Sequence, residues 1–167
     1  MKIETLLFAD DGDIPNSRFP LVVYVGAIDP AAGDPAVAFE DLFRRNGWGS
    51  GWRNSVFPFH HYHSNQHEAL GIASGEVTLR MGGEVGGKTI VAKAGDALLI
   101  PAGVGHKRLS SADGLLVIGA YPPGPNTDLF REGAEDKARI RSRIAAAAFP
   151  ATDPVGGKDG AMQTAWK

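Results

Sequence analysis

Short apolar segments separated by glycine and proline run through the middle of this chain, over residues 56–121. Within them apolar and polar residues alternate, as at 77–81, which is the pattern of half-buried strands. The 22 glycines and 11 prolines are spread along all 167 residues and not gathered in repeats, as expected for tight turns between short strands. The sequence therefore predicts an all-β protein.

The predicted strands form one domain over residues 1–167, with a β core at about 19–121 and a C-terminal helix and tail at 122–167. Apolar residues at helical spacing predict a short helix over 36–46, and strong helix formers predict a second within 131–148. The tail that follows has no periodicity, and we expect Trp166 to dock it onto the body. Strands are predicted at 5–9, 19–28, 56–62, 77–81, 89–93, 96–101 and 114–121, turns at 74–76 and 82–87, and a loop with two space-filling tryptophans at 47–55.

Composition narrows the chemistry that the chain can support. It has no cysteine, so disulfides and thiolate metal sites are excluded, and a metal here would need nitrogen and oxygen ligands. A net charge of −2 without a basic cluster argues against nucleic acid or an anionic membrane as partner. The apolar stretch near the N-terminus is too short for a signal peptide or a membrane span, so a cytoplasmic protein is expected.

Four of the five histidines and one glutamate lie within residues 60–68. On an extended strand His61 and His63 point to the same face, where two imidazoles can chelate one ion and Glu68 can add an oxygen. His60 points the other way and is expected to be structural. His67 flanks Glu68 on the opposite face, where it is either an additional site residue or a polar exterior residue.

A fourth ligand has one candidate, His106, the only histidine outside the cluster. At this point the chain resembles the cupins, whose two motifs have the same spacing. The matching anchors are His61, His63, Glu68 and Gly75 in the first motif, and Gly95, Pro101, Gly103 and His106 in the second. Two positions differ from the cupin motifs, because Ser55 replaces a glycine of the first motif and Ser110 replaces an asparagine of the second.

The resemblance extends along nearly the whole chain to the small bacterial cupins of the YjlB type. It implies a double-stranded β-helix, the cupin jelly-roll barrel, with a metal inside. It also implies that His61, His63, Glu68 and His106 bind one divalent transition metal per chain, which would be Fe, Mn, Zn or Ni. A homodimer through the N-terminal strands is expected on the same ground.

Three neutral imidazoles and one carboxylate leave a divalent ion with a net charge of +1 and open positions, which suits a small anionic ligand or substrate. Arg108 shares strand parity with His106 and is either an anion clamp inside the barrel or a rim residue in solvent. Oxidation or dioxygenation by a metalloenzyme is the leading hypothesis. The alternatives are a metal-dependent isomerase or epimerase of a sugar or keto acid, and a non-catalytic small-molecule binding protein.

Overall fold

The computed structural model describes residues 1–167 apart from the side chain of residue 50. Over the described residues nine strands form one sheet, accompanied by three helices. The strands are β1 Lys2–Leu6, β2 Leu21–Val25, β3 Gly49–Asn54, β4 His61–Tyr62, β5 Glu68–Met81, β6 Lys88–Lys93, β7 Ala97–Ile100, β8 His106–Tyr121 and β9 Phe130–Arg131. The helices are α1 Pro35–Arg45, α2 Lys137–Ala146 and α3 Met162–Ala165.

Two long strands, β5 and β8, pair along most of their length and form the middle of the sheet. The strand order is β1-β2-β7-β5-β8-β4-β9, with β3 paired to β8 and β6 paired to β5, and the pairs are antiparallel. Register shifts near Ser74 and between Thr78 and Leu79 bend β5, so the sheet curls on itself. The result is the predicted jelly-roll barrel, and the all-β prediction is confirmed.

Strand alternation divides the apolar residues of the sheet into an inner and an outer layer. On β5, Leu70 and Ile72 belong to the inner cluster, which fills the barrel together with Leu79 and Val117. Ala69 and Ala73 face the other way, into an outer cluster that α1 and the C-terminal tail cover. Glu68 shares the parity of Leu70, so β5 directs its carboxylate into the barrel.

Helix α1 begins at Pro35 after an N-cap, since the side chain of Asp34 accepts hydrogen bonds from the first-turn N–H groups. Its buried face carries Phe39 and Phe43, which pack on the outer layer. A Cβ at Gly71 of β5 would lie 2.4 Å from the Phe39 ring, so this glycine allows the helix to approach the sheet. The helix predicted over 36–46 is confirmed.

The C-terminal segment closes the outer layer. Trp166 is buried, stacks on Phe19 with ring centroids 5.0 Å apart, and donates its indole N–H to Pro20 O. Buried Asp153 accepts hydrogen bonds from the Tyr24 hydroxyl at 2.5 Å and from Met162 N at 2.8 Å. The prediction that Trp166 docks the tail is therefore confirmed, and α2 lies within the range predicted for the second helix.

Three local predictions are wrong. The strand predicted at 56–62 reduces to His61–Tyr62, because Pro58 cannot donate to a strand ladder, and Phe57 within the predicted strand is 49% exposed. The glycine-rich loop predicted at 47–55 contains β3, which pairs with β8. The turn predicted at 74–76 is instead a bend within continuous β5, where Gly75 has φ +72°.

Candidate metal centre

Four of the predicted site residues meet at one end of the barrel interior. His61 lies on β4 directly opposite His106, the first residue of β8. His63 follows β4, and Glu68 is the first residue of β5. The side chains of all four are buried and line one cavity of about 450 Å³.

Three of these side chains form the tightest group, since one ligand atom each from His63, Glu68 and His106 lies within 4.8 Å of the others. Oε2 of Glu68 is 3.4 Å from Nε2 of His63 and 3.3 Å from Nε2 of His106. His61 borders this group, with its ring centroid 4.1 Å from that of His106 and 6.2 Å from that of His63.

Backbone carbonyls fix which nitrogen of each imidazole faces the cavity. Nδ1 of His61 contacts Phe59 O at 3.1 Å, and Nδ1 of His106 contacts Val104 O at 3.0 Å. Nδ1 of His63 contacts the carbonyl oxygen of Asp128. A carbonyl oxygen only accepts hydrogen bonds, so each Nδ1 carries a proton and Nε2 is left as the free ligand atom.

Charges in this site are strongly coupled. Burial, followed by the nearby ring of His106, lowers the pKa of His61 to about 3, so this imidazole is neutral at pH 7. Burial would raise the pKa of the Glu68 carboxyl, but the imidazoles of His63 and His106 outweigh it and hold the pKa below its ordinary value. For His63 burial lowers the pKa, but the Glu68 carboxylate outweighs it and raises the pKa. The site therefore favours positive charge beside Glu68.

This arrangement fits a divalent metal ion. Ligand atoms about 2.1 Å from one ion and at right angles to each other lie ~3 Å apart, close to the two separations around Glu68 Oε2. Neutral imidazoles and one carboxylate suit zinc, iron, manganese or nickel. Without an ion or a proton, the Nε2 lone pairs of His63 and His106 would face a carboxylate oxygen in a buried site, which is unfavourable.

Arg108 lines the same cavity, and it has no carboxylate within 4.0 Å among the residues that the structure describes. Its Nε donates to Val56 O at 3.0 Å and one terminal nitrogen donates to Ser111 Oγ at 3.3 Å. Lys107, one position earlier, points away and contacts Glu84. The guanidinium is thus held at the cavity with donor capacity to spare.

The structure does not bring His67 or His60 to this site. His67 is 2% exposed on the outer side of β5, where its Nδ1 accepts a hydrogen bond from Ala102 N at 2.9 Å and its ring lies 4.8 Å from that of Trp166. His67 is therefore neither a residue of the metal centre nor in the polar exterior position considered for it. His60 is buried on the other side of β4, with Nε2 3.1 Å from Glu84 Oε1.

Sequence reasoning missed three residues that support the centre. Tyr121 donates to Glu68 Oε1 at 2.8 Å, and Trp52 donates to the Tyr121 hydroxyl at 3.0 Å. The Asp128 carboxylate accepts from Ser64 N at 2.6 Å and forms an ion pair with Arg143 at 2.8 Å. Only the position of Tyr121, at the end of an apolar strand and before two prolines, gave a local signal of a polar group at the sheet edge.

A curled antiparallel barrel with histidines and a glutamate converging inside it defines a cupin. The family model described as Cupin domain matches residues 53–114, which include all four predicted ligands. Over 164 residues the chain is 44% identical to "Uncharacterized protein YjlB" of Bacillus subtilis (strain 168), covering 98% of this chain and 96% of that protein. The chain belongs to the cupin family, and within it to the small bacterial cupins of the YjlB type.

Solved structures with a similar barrel are more distant. Acireductone dioxygenase from Bacillus anthracis, with a cadmium ion in its active centre, is 18% identical with a TM-score of 0.41. The alignment covers 55% of this chain and 61% of that one, less than two thirds of the dioxygenase. The sugar 3,4-ketoisomerase QdtA from Thermoanaerobacterium thermosaccharolyticum, in complex with TDP, is 15% identical with a TM-score of 0.41, covering 59% of this chain and 74% of that one.

Helices long and apolar enough to cross a membrane are absent from the described part of the chain.

Proposed function

We propose that this protein binds one divalent transition metal ion through His61, His63, Glu68 and His106, and that it oxidises or oxygenates a small anionic molecule there. The observation that carries the proposal is the shared approach of two buried Nε2 atoms to Glu68 Oε2, at 3.4 and 3.3 Å, with each Nδ1 held by a carbonyl. Such a donor set holds an ion and orients it.

The cavity beside the site suits a small anion. Arg108 offers unused guanidinium donors to a carboxylate or a similar group. Leu70, Leu129 and Trp52 line the same cavity, and their apolar surfaces limit the water around a bound molecule. A bound iron or manganese ion would supply Lewis acidity and electrons for dioxygen chemistry.

Oxidation is favoured over isomerisation by side-chain general-base catalysis, because that route needs a side chain that takes a proton from the substrate. Among the described residues that line the cavity, Asp128 is the one acidic or histidine residue that is not a proposed metal ligand. That carboxylate is already engaged by Ser64 and Arg143. The Tyr121 hydroxyl is engaged by Glu68, and burial followed by that carboxylate raises its pKa. None of the described side chains on the cavity wall is therefore a free general base.

Metal analysis tests the binding part of the proposal. Protein expressed in medium replete with iron, manganese, zinc and nickel should carry about one divalent ion per chain after purification. His106→Gln should lose that ion, whereas His60→Gln removes a buried histidine outside the site and should retain it. Metal-free wild-type protein that also takes up none of these ions on titration would refute the proposal.

Dioxygen uptake tests the reaction. The metal-loaded protein is mixed with a panel of small carboxylates and sugar phosphates while an oxygen electrode and mass spectrometry follow dioxygen and product. We expect turnover to consume dioxygen and His106→Gln to abolish it. Conversion of a substrate to an isomer at constant dioxygen would replace the oxidation hypothesis by the isomerase alternative. Specific ligand binding without conversion would support the non-catalytic alternative.

The proposal includes a homodimer in which the exposed edge strand β1 contributes to the contact. Light scattering of the purified protein should give twice the 17.6 kDa chain mass. A monomeric mass at micromolar concentration would contradict this part and leave the metal centre unaffected.

A further inference from the structure

The two carboxylate oxygens of Glu68 have different neighbours. Oε2 lies near the Nε2 atoms of His63 and His106, at 3.4 and 3.3 Å. Oε1 points to the cavity wall, where the Tyr121 hydroxyl contacts it at 2.8 Å. The buried carboxylate thus presents one oxygen to the imidazoles and one to a phenol.

The direction of the hydrogen bond at Tyr121 is determined by a third side chain. Nε1 of Trp52 lies 3.0 Å from the Tyr121 hydroxyl oxygen. An indole N–H can only donate and an ionised carboxylate can only accept. The hydroxyl therefore accepts from Trp52 and directs its own proton to Glu68 Oε1, so that Oε1 is occupied by a donor that is itself held in place.

The backbone of β8 makes room for the indole that donates to Tyr121. Gly119 pairs with Trp52 across β3 and β8, and a Cβ at this glycine would lie 2.0 Å from Cε2 of the indole. Only glycine lets the indole lie on β8, where its N–H reaches the residue two positions along the strand. The Tyr121 ring also packs edge-on against His63, with centroids 5.8 Å apart.

We propose that Tyr121 is a positioning residue that limits Glu68 to a single oxygen ligand, Oε2, and so keeps one more metal position open for a chelating anion. This inference rests on the proposed metal site. With Oε1 hydrogen-bonded to the phenol, Glu68 would offer a bound ion only Oε2; with Oε1 released, the same carboxylate would offer both oxygens. Trp52 acts through Tyr121 and is also a positioning residue.

Cobalt(II) is the probe for the test, because its visible absorption reports the number and arrangement of its ligands. Metal-free wild type, Tyr121→Phe and Trp52→Phe are titrated with Co(II), and X-ray absorption of each complex gives the coordination number. Tyr121→Phe keeps the ring that packs on His63 and removes only the hydroxyl. We expect an altered Co(II) spectrum with one additional oxygen ligand, and an affinity lower by about tenfold or more because the carboxylate loses its support. Trp52→Phe should shift the spectrum in the same direction by a smaller amount.

Tyr62→Phe is the matched control. Tyr62 is another buried tyrosine close to the site in sequence, and its hydroxyl has no hydrogen-bond partner among the described residues. This variant should give the wild-type spectrum.

The outcomes separate the two proposals. If wild type binds Co(II) and Tyr121→Phe binds it with an unchanged spectrum, the inference about Tyr121 is wrong and the metal site stands. If wild type binds no Co(II), the metal site itself is wrong and the inference falls with it. Should Tyr121→Phe fail to fold, the Trp52→Phe spectrum decides, and its identity with wild type refutes the inference.

Discussion

Lys107 and Arg108 carry the same charge at adjacent positions of β8, but they place it on opposite sides of the barrel wall. The Lys107 ammonium contacts Glu84 outside, while the Arg108 guanidinium lines the cavity and is held by Val56 O and Ser111 Oγ. Strand parity is the reason for this difference. The pair therefore separates the effect of local charge at the cavity from the effect of net charge on the whole molecule.

Arg108→Gln should weaken binding of a small dicarboxylate, with succinate as probe, to the metal-loaded protein by about tenfold or more. The reason is that a hydrogen bond to a charged group contributes about 1.5–3 kcal/mol. Lys107→Gln should bind the probe as wild type does. Isothermal titration calorimetry of the three proteins measures the effect. Equal weakening in both variants would mean that Arg108 acts only through net charge.

His67 illustrates a buried histidine with a structural role. Its Nδ1 accepts a backbone hydrogen bond from Ala102, and its ring packs against both Phe19 and Trp166, with centroid distances of 6.4 and 4.8 Å. We expect His67→Ala to lower the free energy of unfolding by about 2–4 kcal/mol, since it leaves a cavity and an unpaired buried N–H. Its metal content, measured on the folded protein, should equal that of wild type. Loss of metal with unchanged urea unfolding would instead assign His67 to the metal centre.

The local sequence pattern was sufficient to predict those strands and helices that carry their own apolar residues. Strands β6 and β7 and helix α1 lie where their residues predict them. Strand β3 could not be predicted, because its glycine-rich sequence becomes a strand only when Gly119 of β8 makes room for Trp52. The neighbourhood of Glu68 and Tyr121 likewise depends on the pairing of β5 with β8, which strand periodicity does not specify.

Helix α2 is attached to the barrel through the turn that follows β1. The Asp13 carboxylate accepts hydrogen bonds from Lys137 Nζ and Gly133 N, both at 2.8 Å. These contacts, Lys137 first, hold the pKa of Asp13 below its ordinary value of 3.8. A carboxyl whose pKa is lower in the folded state stabilises the fold at pH values above its unfolded pKa, and this stabilisation is lost as pH falls through the folded pKa.

Asp13→Asn should therefore lower the free energy of unfolding at pH 7 by about 0.5–1 kcal/mol, as expected for a partly exposed ion pair. The difference from wild type should shrink as pH falls below 3.8 and approach zero where Asp13 is protonated in both states. Urea unfolding at a series of pH values measures it, with Asp159→Asn as an exposed control. A difference that does not change with pH would mean that the charge of Asp13 contributes nothing.

The inner and outer layers of the barrel have different roles. The inner side carries the candidate metal centre, and the outer side is closed by α1 and the C-terminal tail. Trp166 connects the tail to Phe19 and to His67, the residue directly before Glu68. The tail should thus support the fold as a whole without contributing an atom to the centre.

Trp166→Ala tests this division. Removing a buried tryptophan should lower the free energy of unfolding by about 3–5 kcal/mol, whereas Lys167→Ala, at the exposed neighbouring position, should have little effect. Excess metal ion binds only the native state and should raise the melting temperature of wild type and Trp166→Ala alike. The two effects should add, because tail and centre share no ligand atom. Calorimetric melting with and without metal measures both effects, and a Trp166→Ala protein that folds but gains no stability from metal would mean that the tail also orders the ligands.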